Sequence, residues 1–408
     1  MKVAGVIAEY NPFHNGHQYH IEETRRRTGA DYVIAVMSGN FVQRGAPALL
    51  SKDCRTLMAL KGGVDAVLEL PTAFSTGGAE DFASYGIALL DACGIVDYLC
   101  FGCEEENLSL LWKIASLCNE ETPEWKTALK DALKKGLPYP AARQKAVEAC
   151  FGQLPGTLLS MPNAILGIEY LRALQNQKSS IKPVIIKRSD NGYHSQNPKD
   201  QFASASTIRS LCLSAGPESV RPYMPVSSYE ILDNVWNTQA PMESNDISQA
   251  LGYRLLACRN SDMSQYAGIS AELSNRIAHN LTGYTDFDRF AETLKTKTYT
   301  RTRINRALLH LLFSIKKEDM DQWKWEPVPY IRLLGFQKSA GPLLSAMKKH
   351  ASAPILTSLS QYEKALSPIG KGLLDKDILA AHFYSQAAGN KFGVPAEKNE
   401  FTRKLPVI

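Results

Sequence analysis

The chain of 408 residues is 44% apolar and 21% charged, which is typical of a soluble globular protein with two or three domains. No apolar run approaches about 18 residues, and the first apolar stretch is too short for a signal peptide. We therefore expect a cytoplasmic protein with no membrane span. The 8 cysteines are scattered, as expected in a reducing compartment.

The net charge of +5 is distributed unevenly. Residues 1–100 carry 8 basic and 11 acidic side chains, whereas residues 295–349 carry 12 basic and 4 acidic ones. This late window includes Lys295, Lys297, Arg301, Arg303, Arg306, Arg332 and Lys338. Such a concentration of positive charge indicates a polyanionic partner.

Strand and helix patterns alternate along the first hundred residues. Strands are predicted over 3–8, 32–37, 64–70 and 96–101, and helices over 16–27, 51–61 and 78–92. This alternation predicts a parallel sheet with helices on both faces. Ligands of such sheets bind at the carboxyl ends of the strands, where the motifs described below lie.

The rest of the chain is predominantly helical in pattern. Residues 105–180 are interpreted as a helical insertion before a last strand at 183–187, and no convincing strand is predicted beyond about residue 215. The expected fold is α/β, with a Rossmann-like parallel sheet, this insertion and a mainly α-helical carboxy-terminal region. Prolines near residues 215–240 favour a boundary there, which gives predicted domains 1–215 and 216–408.

The stretch VAGVIAEYNPFHNGHQYH, residues 3–20, leads from the first strand into the first helix through His14, Gly16 and His17. Free N–H groups at a helix start favour anions, glycine permits close approach, and paired imidazoles can hold phosphate oxygens. Nucleotidyltransferases and class I aminoacyl-tRNA synthetases share this HxGH pattern. We predict a nucleotide site; the alternative is a pair of surface histidines on a turn.

A second phosphate-binding element is predicted at Ser204-Ala205-Ser206-Thr207-Ile208-Arg209. Hydroxyl side chains at a helix start followed by an arginine suit an anion, and an ordinary capped helix is the alternative. Nucleotidyltransferases pair an early HxGH with a late element of this kind. The pairing favours a phosphate clamp that includes Ser206 and Arg209.

The loop MSGNFVQRG follows the second strand, and its Ser38, Asn40 and Arg44 are expected to line the pocket of a second substrate. A purely structural loop is the alternative. Lys52, Asp53 and Arg55 come next; they could reach the pocket or form an exposed charged turn. Cys100 and Cys103 are expected to be buried at a strand end rather than to bind zinc.

Weaker candidates complete the set. Gly102 would let an adenine or ribose pack on the backbone, while Asn163 begins a helix and Arg188 ends the last strand. In the basic helix predicted over 302–315, Arg303, Arg306 and His310 share a face that would be either solvated or in contact with RNA; we favour RNA.

These motifs resemble those of the bacterial tRNA(Met) cytidine acetate ligases. The matching segments are EYNPFHNGH, MSGNFVQRG, ELP, FGCE, SASTIR and TYTRTRINRALLHLL. The resemblance implies the HxGH nucleotidyltransferase type of fold. It also implies an enzyme that uses ATP, with its Mg²⁺, to activate acetate as acetyl-adenylate, and that forms N4-acetylcytidine at the wobble position of elongator tRNA(Met).

The resemblance also implies roles for individual residues. It implies that the helix around Arg301–Arg306 would meet tRNA. From the residues themselves we predict the catalytic set His14, His17, Ser206 and Arg209, and we add Arg303 and Lys338 of the basic window to the expected tRNA contacts. By the resemblance, ATP would contact Ile7, Ala8, Glu9, Tyr10, Asn11, Pro12, Phe13, His14, Asn15, Gly16, His17, Gln18, Tyr19, His20, Gly102, Asn163, Arg188 and Ser189. The segment Ser51–Arg55 departs from the family pattern, which leaves the role of Asp53 open.

Two other functions remain open at this point. One is a small-molecule adenylyltransferase or carboxylate–amine ligase of the same fold, against which the basic helical tail argues. The other is a non-catalytic RNA-binding protein, against which the two phosphate elements argue.

Overall fold

The computed structural model describes residues 1–137, 139–152, 158–188, 202–325, 328–360, 362–395 and 400–408. The strands in this part of the chain are β1 (Val3–Ala8), β2 (Tyr32–Ser38), β3 (Phe41–Val42), β4 (Ala46–Pro47), β5 (Ala66–Leu70), β6 (Tyr98–Cys103), β7 (Lys182–Lys187), β8 (Ile331–Phe336) and β9 (Ile355–Leu356).

The α-helices lie between and after these strands. They are α1 (Asn15–Thr28), α2 (Lys52–Lys61), α3 (Thr72–Ser75), α4 (Ala79–Ala92), α5 (Leu108–Glu120), α6 (Pro123–Lys134), α7 (Tyr139–Phe151), α8 (Pro162–Asn176), α9 (Ala205–Ala215), α10 (Val226–Val235), α11 (Ser248–Ala257), α12 (Ala271–Asn280), α13 (Phe287–Leu294), α14 (Arg301–Leu312), α15 (Lys317–Trp325), α16 (Gly341–His350), α17 (Tyr362–Ala365) and α18 (Pro368–Phe392).

The main sheet has seven strands in the order β7-β6-β1-β2-β5-β8-β9. The first five of these are mutually parallel. Their sequences are short apolar runs because both faces of the sheet are covered; in β2, six of the seven residues are buried. The predicted α/β fold is confirmed, and the described part of the predicted insertion contains helices α5, α6, α7 and α8.

The expectation that no strand follows residue 215 is wrong. Strand β8 lies antiparallel to β5, with Phe336 opposite Ala66, and β9 extends the sheet beside it. The segment IRLLGF is a short apolar stretch interrupted by Arg332, and periodicity cannot distinguish so short a stretch from part of a buried helix. The domain boundary near residue 215 stays a prediction, and the sheet takes strands from both sides of it.

The sheet carries a hydrophobic core on each face. Leu90 of α4 and Ile168 of α8 belong to one core, whereas Met58 of α2 and Ile208 of α9 belong to the other. The predicted burial of Cys100 and Cys103 is confirmed. Their odd spacing places the two thiols in opposite cores, as the alternation of side chains along a strand requires.

The topology brings the predicted motifs to one edge of the sheet. The chain segments that follow β1, β2, β6 and β7 all leave the carboxyl ends of parallel strands. Local capping explains where the helices begin: Ser51 accepts a hydrogen bond from the Cys54 N–H at the start of α2. Within the described residues, no helix is long and apolar enough to cross a membrane.

Candidate active site

The two histidines of the HxGH motif stack on each other at the start of α1, with ring centroids 3.7 Å apart. His14 is the N-cap residue, and its Nδ1 accepts a hydrogen bond from the Gly16 N–H at 3.0 Å. His17 Nδ1 accepts from the His14 N–H at 3.3 Å. A nitrogen that accepts carries no proton, so each neutral ring carries its proton on Nε2. Both rings can therefore donate from Nε2 to an anion.

Burial keeps the histidines of this motif neutral. Burial and the charges of Arg188 and Arg209 lower the pKa of His14 to about 3. Burial, assisted by His14, also lowers the pKa of His17, and burial together with Arg188 lowers that of His20 to about 4. Neutral imidazoles donate hydrogen bonds without releasing a proton, which suits charge stabilisation at phosphates.

The structure brings the second predicted phosphate element to the first. Arg209, on α9, donates from Nη1 to the Asn11 carbonyl at 2.7 Å. Ser204 caps α9, and its Oγ lies 2.8 Å from both the Ser206 Oγ and the Thr207 Oγ1. The two predicted phosphate elements are therefore in contact through Arg209 and Asn11, and the starts of α1 and α9 carry side-chain donors for an anion.

The ends of β6 and β7 form another side of this site. The side chain of Arg188 lies over Gly102, so a Cβ added at Gly102 would come within 3.0 Å of the Arg188 Cδ. The Asn163 amide donates to Glu104 Oε1 at 2.6 Å, a partner that the sequence analysis missed. Ser189 lies outside the described residues.

Several residues of the predicted ATP segment serve packing. Phe13 is fully buried against Gly62, and Tyr10 is buried with its ring 4.9 Å from that of His17. Asn11 accepts from the Leu49 N–H at 2.8 Å. The remaining members lie on β1, in the segment that joins it to α1, or along the first turns of α1: Ile7, Ala8, Glu9, Pro12, Asn15, Gln18 and Tyr19.

The loop after β2 is less open than expected. Ser38 and Asn40 are buried, and Asn40 Oδ1 accepts from the Lys52 N–H at 2.7 Å. Arg44 is exposed, and it lies close enough to Arg209 for its charge to reinforce the effect of burial in lowering the Arg209 pKa. Of the three loop residues predicted to meet a second substrate, Arg44 is thus the one presented to solvent.

Arg55 and Lys52 do not form an exposed charged turn, because both are buried. The Arg55 guanidinium donates to the carbonyls of Glu9, Ser38 and Gly39, and so ties the ends of β1 and β2 together. Asp53 pairs with Arg403, near the end of the chain. Arg55 therefore holds the strand ends that carry the site, whereas Lys52 and Asp53 are engaged in ion pairs.

A buried ion network lies next to the loop that follows β2, and the sequence patterns did not predict it. It consists of Lys52, Glu69, Arg332 and Glu400. Lys52 Nζ lies 2.9 Å from both Glu69 Oε1 and Glu400 Oε2, and Arg332 Nη1 lies 2.9 Å from Glu69 Oε2. Arg332 is therefore not part of a free basic surface. The available signal was Glu69, a single acid inside the otherwise apolar strand β5.

The structure separates the predicted RNA-contact residues. Arg301 is ion-paired with Asp288 and Glu292. Arg303 is exposed, and its guanidinium lies 4.7 Å from the Tyr299 ring centroid. Arg306 is half-buried and donates weakly to the Gln43 carbonyl at 3.4 Å. Unlike Arg301, neither Arg303 nor Arg306 forms an ion pair with a carboxylate of the described residues.

Lys338 lies apart from the other predicted RNA contacts. It is exposed just after β8, and the antiparallel register of β8 puts that end beside the amino-terminal end of β5. Lys338 is therefore at the edge of the sheet opposite the HxGH motif. His310, predicted to share a face with Arg303, is buried between Thr76 and the Ala267 carbonyl.

Comparison with known proteins agrees with this geometry. The family model described as HIGH Nucleotidyl Transferase matches residues 1–398. The tRNA(Met) cytidine acetate ligase of Acetivibrio thermocellus is 38% identical, with 100% of each chain covered. The protein of the same name from Thermoanaerobacter sp. strain X514 is 39% identical, with 96% of each chain covered.

Solved structures show the same architecture. Thermotoga maritima TmcAL bound with alpha-thio ATP matches with a TM-score of 0.91 at 34% identity, covering 100% of this chain and 99% of that one. The apo form of that protein matches with a TM-score of 0.92 at 33% identity. The chain therefore belongs to the HIGH nucleotidyl transferase family and, within it, to the family of tRNA(Met) cytidine acetate ligases.

Proposed function

We propose that this chain is an ATP-dependent ligase that joins acetate to elongator tRNA(Met). It would form N4-acetylcytidine at the wobble position and release AMP and pyrophosphate. The observation that carries the proposal is the meeting of two phosphate elements, with Arg209 bonded to the loop that precedes His14. The names of the full-length relatives support tRNA(Met) and acetate as substrates, and the name of the Thermotoga maritima structure supports ATP. We propose a cytoplasmic location, which the use of tRNA as a substrate supports.

In the first step, an acetate oxygen attacks the α-phosphorus of ATP, and the bond to the β-phosphate bridging oxygen breaks. Negative charge builds on the leaving pyrophosphate. The Nε2–H groups of His14 and His17, the Ser206 hydroxyl and the Arg209 guanidinium would hold that charge. Positioning and charge stabilisation are sufficient for such a transfer, so no protein nucleophile is needed.

In the second step, the cytidine N4 attacks the carbonyl carbon of acetyl-adenylate, and the bond to the phosphate oxygen breaks. The N4 amine loses a proton and AMP leaves. An amine conjugated with an aromatic ring is a weak nucleophile, so activation of acetate as a mixed anhydride with a good leaving group is chemically appropriate. Exposed Arg44, near Arg209, would face the second substrate.

Mg²⁺ would arrive with the triphosphate as part of the substrate. Over the described residues, no group of three or more His, Cys, Asp or Glu side chains is arranged to hold a metal ion. A cation that accompanies ATP would be bound mainly by phosphate oxygens, as is usual for Mg²⁺ with nucleotides. Bound there, the ion would neutralise phosphate charge.

Acetate-dependent exchange of labelled pyrophosphate into ATP tests the first step without tRNA. We expect exchange with acetate, followed by acetyl transfer when tRNA(Met) is added. The His17→Ala variant should lose exchange by roughly 10²- to 10³-fold, the usual effect of removing a transition-state donor. Its affinity for tRNA should stay near that of the parent protein.

The matched control is His279→Ala, which removes an exposed histidine on α12, far along the chain from the site. Exchange should be unchanged in this variant. If acetate supports no exchange while another small carboxylic acid does, the protein is a different carboxylate-activating enzyme of this fold. If His17→Ala exchanges at the parental rate, the proposed role of the HxGH motif is wrong.

A further inference from the structure

A cavity of about 390 Å³ lies between the start of α4 and helices α14 and α15. Its volume is at the lower end of the range of small-ligand pockets, on the order of 300–1,000 Å³. Four cations and two carboxylates are on its wall. They are Arg303, Arg306, Lys317, Lys324, Asp81 and Asp321. The cavity therefore has an excess of positive charge.

This positive charge is concentrated on Arg303 and Arg306. Lys324 is paired with Asp81, at 2.7 Å. In contrast, no carboxylate of the described residues lies within ion-pair distance of Arg303 or Arg306. Arg303 contacts the Tyr299 ring, and Arg306 donates to the Gln43 carbonyl. Burial lowers the pKa of Arg306, the charge of Arg303 lowers it further, and the charge of Asp81 offsets part of this effect. Arg303 and Arg306 are three positions apart on α14, so their like charges repel each other. An anion bound between them would relieve this repulsion.

The cavity adjoins the loop that follows β2. A Cβ added at Gly45 would lie 2.5 Å from the backbone nitrogen of Arg306, so α14 rests directly on this loop. On the other side, the Gln43 N–H donates to Glu9 Oε1 at 2.8 Å, directly after β1. A short path of contacts therefore links the cavity to the strand end that precedes the HxGH motif.

We propose that this cavity binds one nucleotide of the tRNA backbone, with its phosphodiester held between Arg303 and Arg306. The volume exceeds the need of a single phosphate group and suits a phosphate with its sugar. Lys317, exposed on the rim, would contact the same backbone. The bound nucleotide would be a neighbour of the cytidine to be acetylated, since the cavity adjoins the catalytic edge. This inference rests on the proposed function for the identity of the RNA.

The test is the affinity for a tRNA(Met) transcript as a function of salt concentration. For single-stranded RNA, each phosphate contact contributes about 0.7 to the slope of log K against log salt. The double variant Arg303→Gln/Arg306→Gln should lower the slope by about 0.7, the value for one shared phosphate, and should weaken binding by about tenfold or more. Acetate-dependent pyrophosphate exchange should be unchanged, because it involves no tRNA.

Two matched controls separate this site from general attraction. Arg301→Gln removes a charge on the same helix that is already paired with Asp288 and Glu292, and Lys338→Gln removes an exposed charge at the opposite edge of the sheet. Both should keep the parental slope. An equal fall of the slope in Arg301→Gln would mean a diffuse basic surface and would overturn the proposal.

The double variant is also checked for its thermal midpoint. If it fails to fold, Lys317→Gln replaces it, because that side chain is exposed and should cost about 2- to 5-fold in affinity. Parental affinity in a folded variant overturns the nucleotide site and leaves the proposed function intact. Absence of acetate-dependent exchange in the parent protein overturns the proposed function, while the salt slopes still report on the cavity.

Discussion

Replacing Glu400 with alanine would remove one of the two carboxylates that neutralise Lys52 and Arg332 inside the protein. The exposed fractions of these side chains are 2% for Lys52, 4% for Arg332 and 9% for Glu400, and 2% for their other partner, Glu69. After the substitution, two buried cations would share Glu69. Water cannot reach them to compensate, so the cost is that of a buried charge left without its partner.

Removing one partner from a buried ion pair costs about 3–5 kcal/mol. The unfolding entropy is about 2.1 cal/mol/K per residue, so for 408 residues this loss corresponds to a fall of roughly 4–6 °C in the thermal midpoint. Calorimetry measures the midpoint, and urea denaturation measures the free energy of unfolding. The control is Lys295→Ala, which breaks a pair with Glu292 whose side chains are 51% and 58% exposed. Such pairs contribute about 1 kcal/mol or less.

The pH dependence provides a second measure of the same network. Burial alone would raise the pKa of Glu400, but Lys52 and Arg332 lower it from 4.5 to about 2. A carboxyl whose pKa is lower in the folded state stabilises the protein fully above its unfolded pKa, and this contribution is lost as the pH falls towards the folded value. The stability difference between the parent and Glu400→Ala should therefore shrink between about pH 5 and pH 2. A difference no larger than that of Lys295→Ala at pH 7 would refute the network.

Two further predictions concern the active site and its loop. The dependence of kcat/KM for ATP on pH, measured by pyrophosphate exchange, should have the same shape near pH 6.5 in the parent and in His14→Gln, because burial lowers the pKa of His14 to about 3; an inflection near 6.5 that His14→Gln removes would contradict a neutral donor. Gly45→Ala should destabilise the protein by about 1–3 kcal/mol more than Gly136→Ala, as measured by urea denaturation. Both glycines have φ near +75°, but a Cβ at Gly45 meets Arg306 whereas one at Gly136 meets nothing within 4 Å. Equal losses would show that backbone conformation, rather than packing against α14, accounts for the effect.

Local sequence patterns were sufficient to predict the five parallel strands of the sheet. Strands β1, β2, β5, β6 and β7 follow from short apolar runs separated by helical periods, and the start of α2 follows from Ser51 as its cap. These signals are contained within a few residues, so they can be interpreted without knowledge of the rest of the fold. Strand β8 has no such signal: its six residues include Arg332, and they form a strand because they pair with the free side of β5.

Charged residues were harder to interpret, because their environment depends on distant parts of the chain. Lys52 and Arg55 could be either exposed or buried from the sequence alone. Lys52 is buried because Glu69 and Glu400, separated from it by 17 and 348 positions, provide its partners. The same reason removes Arg332 from the basic surface that composition predicted.

The sequence by itself determined the HxGH motif, the second phosphate element and the resemblance to the tRNA(Met) cytidine acetate ligases. It did so because motif residues and their spacing are local and chemically specific. The tertiary structure decided how those elements meet, through Arg209 and the Asn11 carbonyl, and which basic residues are free. Arg301, Arg303 and Lys338 are all basic residues of the window 295–349. Arg301 is ion-paired, Arg303 lies against the Tyr299 ring, and Lys338 is at the opposite edge of the sheet from the HxGH motif. Net charge cannot distinguish these situations, because it counts side chains and not their partners.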